Sequence, residues 1–207
     1  MILDIHSHNR NTGKHKIINL SPEHYDTIGK PDQFYSVGVH PWDINDDTNK
    51  MLDLLCSIAH HNNIIAIGET GIDLAKSSAP LFRQMIVFKR HIELSEQLQK
   101  PLIIHNVKAH DLIVGLRKEI KPSMPWIIHG FRNKPSVAKM LTDAGLYLSF
   151  GEKFNIDSLL STPNDRILTE TDEAESSIDE IIAKLTAESK KNIRELVIQN
   201  AKSIFQI

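Results

Sequence analysis

The chain has 207 residues, 41% of them apolar, and a formal charge of −2 at neutral pH. That size supports a substantial core, and with no linker-like break in composition a single domain over residues 1–207 is expected. The near-balanced charge excludes a protein that grips nucleic acid through a broad cationic surface, because sequence-independent affinity comes from many Lys and Arg contacts to phosphates.

No stretch approaches the roughly 18 continuous apolar residues of a membrane span, and the first residues lack a signal-peptide pattern. A cytoplasmic protein with no membrane association is the expectation. Lys14, Lys16 and Lys30 are interleaved with polar residues and read as solvated faces. The one cysteine, Cys56, lies in the largely apolar run Met51-Leu52-Asp53-Leu54-Leu55-Cys56 and reads as a buried small hydrophobe.

In chain order, short apolar runs predict strands over 1–6, 16–20, 35–39, 64–68, 102–105, 126–129, 146–150 and 167–170. Such runs, bounded by turn residues, are what parallel strands buried on both faces look like. A weak helix is predicted over 21–30. A clear one spans 80–98, with Pro80 in its first turn, Leu81, Met85, Phe88 and Ile92 at helical spacing, and Pro101 just beyond. Lys134–Ala144 is expected to stop at Gly145, residues 156–162 to give one or two turns, and Ser177-Ile178-Asp179-Glu180 to form a capping box. Residues 188–205 present Ile193, Leu196, Val197, Ala201 and Ile204 as the core stripe of a last helix.

Strands alternating with helices predict a TIM-type (β/α)8 barrel, in which functional groups gather at the carboxyl ends of the strands. The chain is short for that fold. Only Asn-Arg-Asn-Thr-Gly-Lys-His-Lys separates His8 from Ile17, too little for a crossover helix, so the first helix is expected to be missing.

Most of the strands end in residues that bind metals. Residues two apart on a strand face the same way, so His6 and His8 can chelate one ion. Glu69 follows Ile-Ala-Ile-Gly, and a carboxylate there is a natural bridge between two cations. Gly68 and Gly71 beside it suggest close backbone approach. His105 and His129 each terminate a buried strand, where an unsatisfied imidazole would be costly. Asp172 follows the last strand, with Glu170 and Asp4 as groups that would orient imidazoles. Together, four imidazoles and two carboxylates suit two divalent ions, Zn²⁺, Mn²⁺ or Mg²⁺.

Asp4-x-His6-x-His8, Gly38-Val39-His40-Pro41-Trp42, Gly68-Glu69-Thr70-Gly71-Ile72-Asp73, Pro101-x-Ile103-Ile104-His105, Ile128-His129-x-Phe131, Glu170-Thr171-Asp172 and Asn200-Ala201-x-x-x-Phe205 resemble, in order and spacing, the motifs of the TatD family of metal-dependent deoxyribonucleases. The resemblance implies a metal-dependent hydrolase barrel in which His6, His8 and Asp172 bind one ion, His105 and His129 a second, and Glu69 bridges. It also implies DNA or another phosphodiester as substrate, attacked by a water that the two ions activate and that Asp172 orients or deprotonates. His40 is a candidate phosphate contact, or else a ring buttressed by Pro41 and Trp42. Trp42 reads either as a stacking platform for a base or as a loop residue packed on its neighbours. Lys108 and Arg132 read as phosphate clamps or as surface charges.

The chain departs from the family around these contacts. Val107 stands where an arginine is usual, Arg132 lies in an altered segment after His129, and Glu173-Ala174 replaces the usual Ser-Pro. These changes keep a hydrolase of small esters, lactones or amides open beside the nuclease, with a non-catalytic metal-binding protein as a third possibility.

Overall fold

The computed structural model describes residues 1–206 except 12, 14, 29 and 31. Eight parallel strands follow one another in chain order: β1 (Asp4–Ser7), β2 (Lys16–Leu20), β3 (Phe34–Val37), β4 (Ile64–Asp73), β5 (Leu102–Val107), β6 (Trp126–Ile128), β7 (Tyr147–Phe150) and β8 (Ile167–Thr169). The helices are α1 (Pro22–Ile28), α2 (Thr48–Ile58), α3 (Leu81–Leu98), α4 (His110–Ile120), α5 (Pro135–Asp143), α6 (Ile156–Ser161), α7 (Ile178–Ser189) and α8 (Ile193–Phe205). That strand order is the connectivity of a (β/α)8 barrel. Among the described residues no helix lies between β1 and β2, as the short spacing requires. Lys14 lies outside the described residues, while Lys16 donates from Nζ to the Asn9 carbonyl at 2.8 Å.

The chain packs as two compact units, Met1–Ile18 with Ile127–Ile207, and Asn19–Trp126. In the first unit the last strand is laced to the first. Ser7 bridges to Asp172, the His8 N–H donates to the Asp172 carbonyl at 3.0 Å, and the Asp172 N–H donates to the His6 carbonyl at 2.9 Å. Ile5, Ile17, Leu148, Phe150 and Leu168 fill its interior, with Phe131 edge-on to Phe150 at 5.7 Å. The capping box forms as expected, Ser177 accepting from the Glu180 N–H while the Glu180 carboxylate accepts from the Ser177 N–H.

In the second unit β4 is ten residues long and runs past the predicted end through Glu69 to Asp73. Gly68 and Gly71 allow the close backbone approach expected of them, and the strand continues through both. Gly71 pairs with His105, has φ of +145°, and a Cβ there would lie 2.1 Å from the His105 carbonyl oxygen. α3 begins one residue later than expected, with Pro80 as its extended N-cap. Phe88 of α3 packs edge-on to Trp126 at 5.6 Å.

Cys56 corrects the sequence reading, because it is exposed. The buried positions of α2 include Met51, Leu52, Leu55 and Ile58, and the residue after Leu55 is turned away by about 100°. Among the described residues no helix is long and apolar enough to cross a membrane.

One buried polar group stands apart from the strand-end ligands. His91 of α3 is fully buried; its Nε2 accepts the Val39 N–H at 2.9 Å and its Nδ1 lies 2.8 Å from the Val87 carbonyl. Burial lowers its pKa from 6.5 to about 4, against the Val87 contact that opposes the shift. Between those values the unfolded chain takes up a proton that the folded chain refuses. Stability linked to this group therefore falls as pH drops from 6.5 towards 4, by at most about 1.4 kcal/mol per pH unit. His91→Gln keeps a donor and an acceptor but cannot titrate. Urea denaturation at pH 7, 6 and 5 should show a shallower loss of stability in the variant, and identical slopes would refute the assignment.

Candidate metal centres

Each unit gathers its own set of ligand-type side chains. In the first, β1 carries His6 inward, fully buried, and His8 follows at its end, about two-fifths exposed. The Asp172 Oδ1 lies 3.7 Å from the His6 Nε2 and 3.5 Å from the His8 Nε2. The backbone lacing between β1 and the segment after β8 brings the three together, with Asp172 itself in a left-handed conformation at φ 53°. His129, just after β6, stacks at a tilt on His6 with ring centroids 4.3 Å apart.

Behind these rings stand two buried carboxylates. Glu170 is fully buried, with Oε1 accepting the Gly130 N–H and lying 3.6 Å from the His129 Nδ1. Asp4 accepts both the Thr171 N–H at 2.9 Å and the Thr171 hydroxyl at 2.7 Å. Burial raises the Asp4 pKa to about 7 despite those donors.

In the second unit, Glu69 on β4 is nearly buried, and its Oε1 lies 2.8 Å from the His105 Nδ1 and 3.2 Å from the His40 Nε2. Asn19 of β2 holds this glutamate from behind, its Oδ1 accepting the Glu69 N–H at 2.7 Å and the Ser36 hydroxyl at 3.0 Å. His40 Nδ1 accepts the Trp42 N–H at 3.2 Å, which leaves the ring proton on Nε2 in the neutral form. The His105 Nε2 faces the Asp73 Oδ2 at 3.2 Å, and the same oxygen accepts the Trp42 indole N–H at 2.7 Å.

Burial alone would raise the Asp73 carboxyl. Hydrogen bonds from Trp42, the Ala75 and Lys76 amides and His105 instead hold it at about 2.

The donor sets fit divalent cations. His6, His8 and Asp172, then His129, Glu170 and Asp172, and in the other unit His40, Glu69 and His105, each offer ligand atoms within 4.8 Å of one another. Imidazole nitrogen with carboxylate oxygen suits Zn²⁺ and its neighbours. Glu170 Oε2 is buried without a hydrogen-bond partner among the described residues, an arrangement that is costly unless a cation or water satisfies it.

His40, reserved on sequence grounds for substrate, thus stands within the ligand set of Glu69 and His105. Trp42 is pinned by Asp73 yet keeps nearly half its surface exposed, with the Lys76 Nζ 5.0 Å above the ring. Lys108 and Arg132 are exposed, and no hydrogen bond or ion pair holds either among the described residues. Sequence reasoning missed Asn19 and the anchoring of Asp73. Asn19 lies inside an apolar strand of little chemical signal, and it meets Glu69 across 50 positions of chain.

Fold and donor sets together define a TIM-barrel protein equipped to carry divalent ions. The comparisons narrow this class. The chain belongs to the family of TatD related DNases, whose family model matches residues 14–206. It is 30% identical to the uncharacterized metal-dependent hydrolase YabD of Bacillus subtilis over 89% of this chain and 80% of that one. It is 32% identical to the uncharacterized metal-dependent hydrolase YcfH of Escherichia coli over 71% of this chain, a stretch spanning only 58% of that protein. The 3'-5' ssDNA/RNA exonuclease TatD of Klebsiella pneumoniae is 26% identical over 66% of this chain and 56% of its own length. The crystal structure of YJJV, a TatD homologue from E. coli, superposes with a TM-score of 0.85 at 16% identity, covering 100% of this chain and 98% of that one. The protein is thus a metal-dependent hydrolase of the TatD family with a TIM-barrel fold.

Gly71→Ala tests how tightly β4 must approach β5. The added methyl meets the His105 carbonyl and strains a backbone of positive φ, so a loss of about 2–4 kcal/mol in urea denaturation is expected. A loss below about 0.5 kcal/mol would show that the strand pair yields easily.

Proposed function

We propose that the protein is a nuclease or phosphodiesterase that uses divalent metal ions to hydrolyse a phosphodiester bond. The observation that carries this reading is the convergence of imidazole and carboxylate donors in both units. The family's name and the exonuclease relative support a nucleic-acid substrate. A divalent ion in such a set lowers the pKa of water and screens charge that develops on phosphate oxygens.

The remaining roles fall to the chain's own residues. His6, His8, Asp172 and His129 form the ion-holding set of the first unit, and Glu69 with His105 that of the second. Asp172, two-fifths exposed, is the carboxylate placed to take a proton from water at Oδ1. The His40 Nε2–H, which faces the Glu69 Oε1 at 3.2 Å, is the donor for which a phosphate oxygen would compete. Trp42 offers an exposed ring face for a base, and Lys108 and Arg132 supply unpaired positive charge.

A second reading, a hydrolase of small esters or lactones, is favoured by Val107 standing where a phosphate-binding arginine is usual in the family. The two readings separate in one assay. Metal-free protein re-supplied with Mg²⁺, Mn²⁺ or Zn²⁺ should cleave end-labelled single-stranded DNA, and EDTA or His105→Ala should lower the rate by at least about 100-fold. Protein that binds metal and hydrolyses small esters, yet leaves DNA intact with every ion, would sink the nuclease reading.

A further inference from the structure

Glu170 is the one buried carboxylate of the first unit with an oxygen that no hydrogen bond satisfies among the described residues. It follows β8 directly. Its N–H donates to the Phe150 carbonyl at 3.3 Å and its Oε1 accepts the Gly130 N–H, so the backbone and one oxygen are fixed and Oε2 has a set direction. The surroundings are short of positive charge. Asp172 offers a carboxylate oxygen within 4.8 Å of one from Glu170, and Asp4 lies near enough to repel the same group. Among the described residues no lysine or arginine forms an ion pair with Glu170 or Asp172. Carboxylates gathered in a largely buried place without a counter-charge are unfavourable.

We infer that Glu170 is itself a metal ligand, holding a divalent ion together with His129 and Asp172 beside the one held by His6, His8 and Asp172. Distance separates this role from that of a group that only orients an imidazole. An orienting carboxylate accepts a hydrogen bond from the ring it steers, yet the Glu170 Oε1 stands 3.6 Å from the His129 Nδ1, beyond hydrogen-bond reach. Two ligand atoms each about 2.0–2.2 Å from one ion, at the tetrahedral angle, stand roughly 3.3–3.6 Å apart. The separations of the Asp172 Oδ1 from the His8 and His6 Nε2 atoms, 3.5 and 3.7 Å, lie close to the same value.

The two sets are neighbours, since they share Asp172 and the His6 and His129 rings are 4.3 Å apart. An ion between Glu170 and Asp172 supplies the counter-charge that lysine and arginine do not, and it gives Oε2 a partner. The inference rests on His129 and Asp172 holding an ion, as proposed above, and the experiment separates its failure from the failure of that reading.

Anomalous diffraction at the zinc edge, from wild-type crystals grown with Zn²⁺, locates the ions directly. The expected result is a zinc about 2.0–2.2 Å from a Glu170 carboxylate oxygen and bonded also to His129 and Asp172. Zinc bound by His129 and Asp172 with Glu170 on water or protein groups alone overturns the inference and leaves the ion-holding set standing. Zinc at none of His6, His8, His129 and Asp172 overturns the inference together with the reading it rests on. In solution, Glu170→Gln keeps the acceptor for Gly130 and removes the charge. Competition with a chromophoric chelator should then show one Zn²⁺ weakened by more than about 100-fold, above the roughly 10- to 100-fold that loss of an orienting partner costs. A variant folded by circular dichroism whose loss lies within or below that range overturns the inference as well, and the crystal measurement stands even if the variant does not fold.

Discussion

The arrangement of this protein depends on keeping carboxylates charged or satisfied where water is nearly absent. Asp4, Glu69, Asp73 and Glu170 are all at most 4% exposed. An isolated carboxylate in such a place would take up a proton or unfold its surroundings. Each is answered differently, and the answer indicates the role. Asp73 is saturated with N–H donors and stays ionised. Asp4 accepts from the Thr171 hydroxyl and amide and from the His6 amide, too little to offset its burial and the nearby Glu170, and its pKa rises to about 7. Glu69 faces two imidazoles, and Glu170 has one satisfied oxygen and one with no hydrogen-bond partner among the described residues. The one carboxylate oxygen of these four that no hydrogen bond satisfies among the described residues, Glu170 Oε2, belongs to the side chain that stands beside His129.

The same reasoning explains why the strands carry so little else that is polar. A parallel strand covered on both faces tolerates charge only at its end, where side chains meet one another rather than the core. β5 shows the switch within one element, from Leu102, Ile103 and Ile104, all fully buried, to His105 and Asn106 at partial exposure. Glu69 is the exception, since β4 carries it mid-strand. That position is possible because Asn19 receives its N–H and because Gly68 and Gly71 let β5 come close enough to bring His105 alongside. Two glycines thereby set the distance between two ligands.

What was legible in the sequence was local, and what was not depended on distant partners. Val37, Ile104 and Ile128 announce buried strands by composition alone, and the Ser177–Glu180 capping box is written in four consecutive residues. The strand-end histidines stand out because a polar ring beside four apolar residues needs a reason. Cys56 misled because an apolar run does not say which positions face inward, and one step of helix separates Leu55 in the core from a thiol in solvent. His91 was silent for the opposite reason. It lies between Phe88 and Ile92 on the buried stripe of α3, and its acceptor role is defined by the Val39 amide 52 positions away.

His91 and Asp73 also suggest how the second unit divides rigidity from chemistry. His91 takes the amide of Val39, the residue before His40, and Asp73 takes the indole of Trp42, two residues after it. The segment carrying His40 is therefore tied on both sides by side chains from α3 and β4, elements that also pack against β5. His40 is left with one nitrogen engaged by its own loop and the other directed at Glu69. A loop held in this way keeps the His40 ring on Glu69 at little entropic cost, the preorganisation under which a single hydrogen bond contributes most. Lys108 and Arg132, exposed and unheld, lack that support. Any charge they bring acts through attraction at a distance, which added salt weakens, whereas the contact between His40 and Glu69 depends on placement and is far less sensitive to ionic strength.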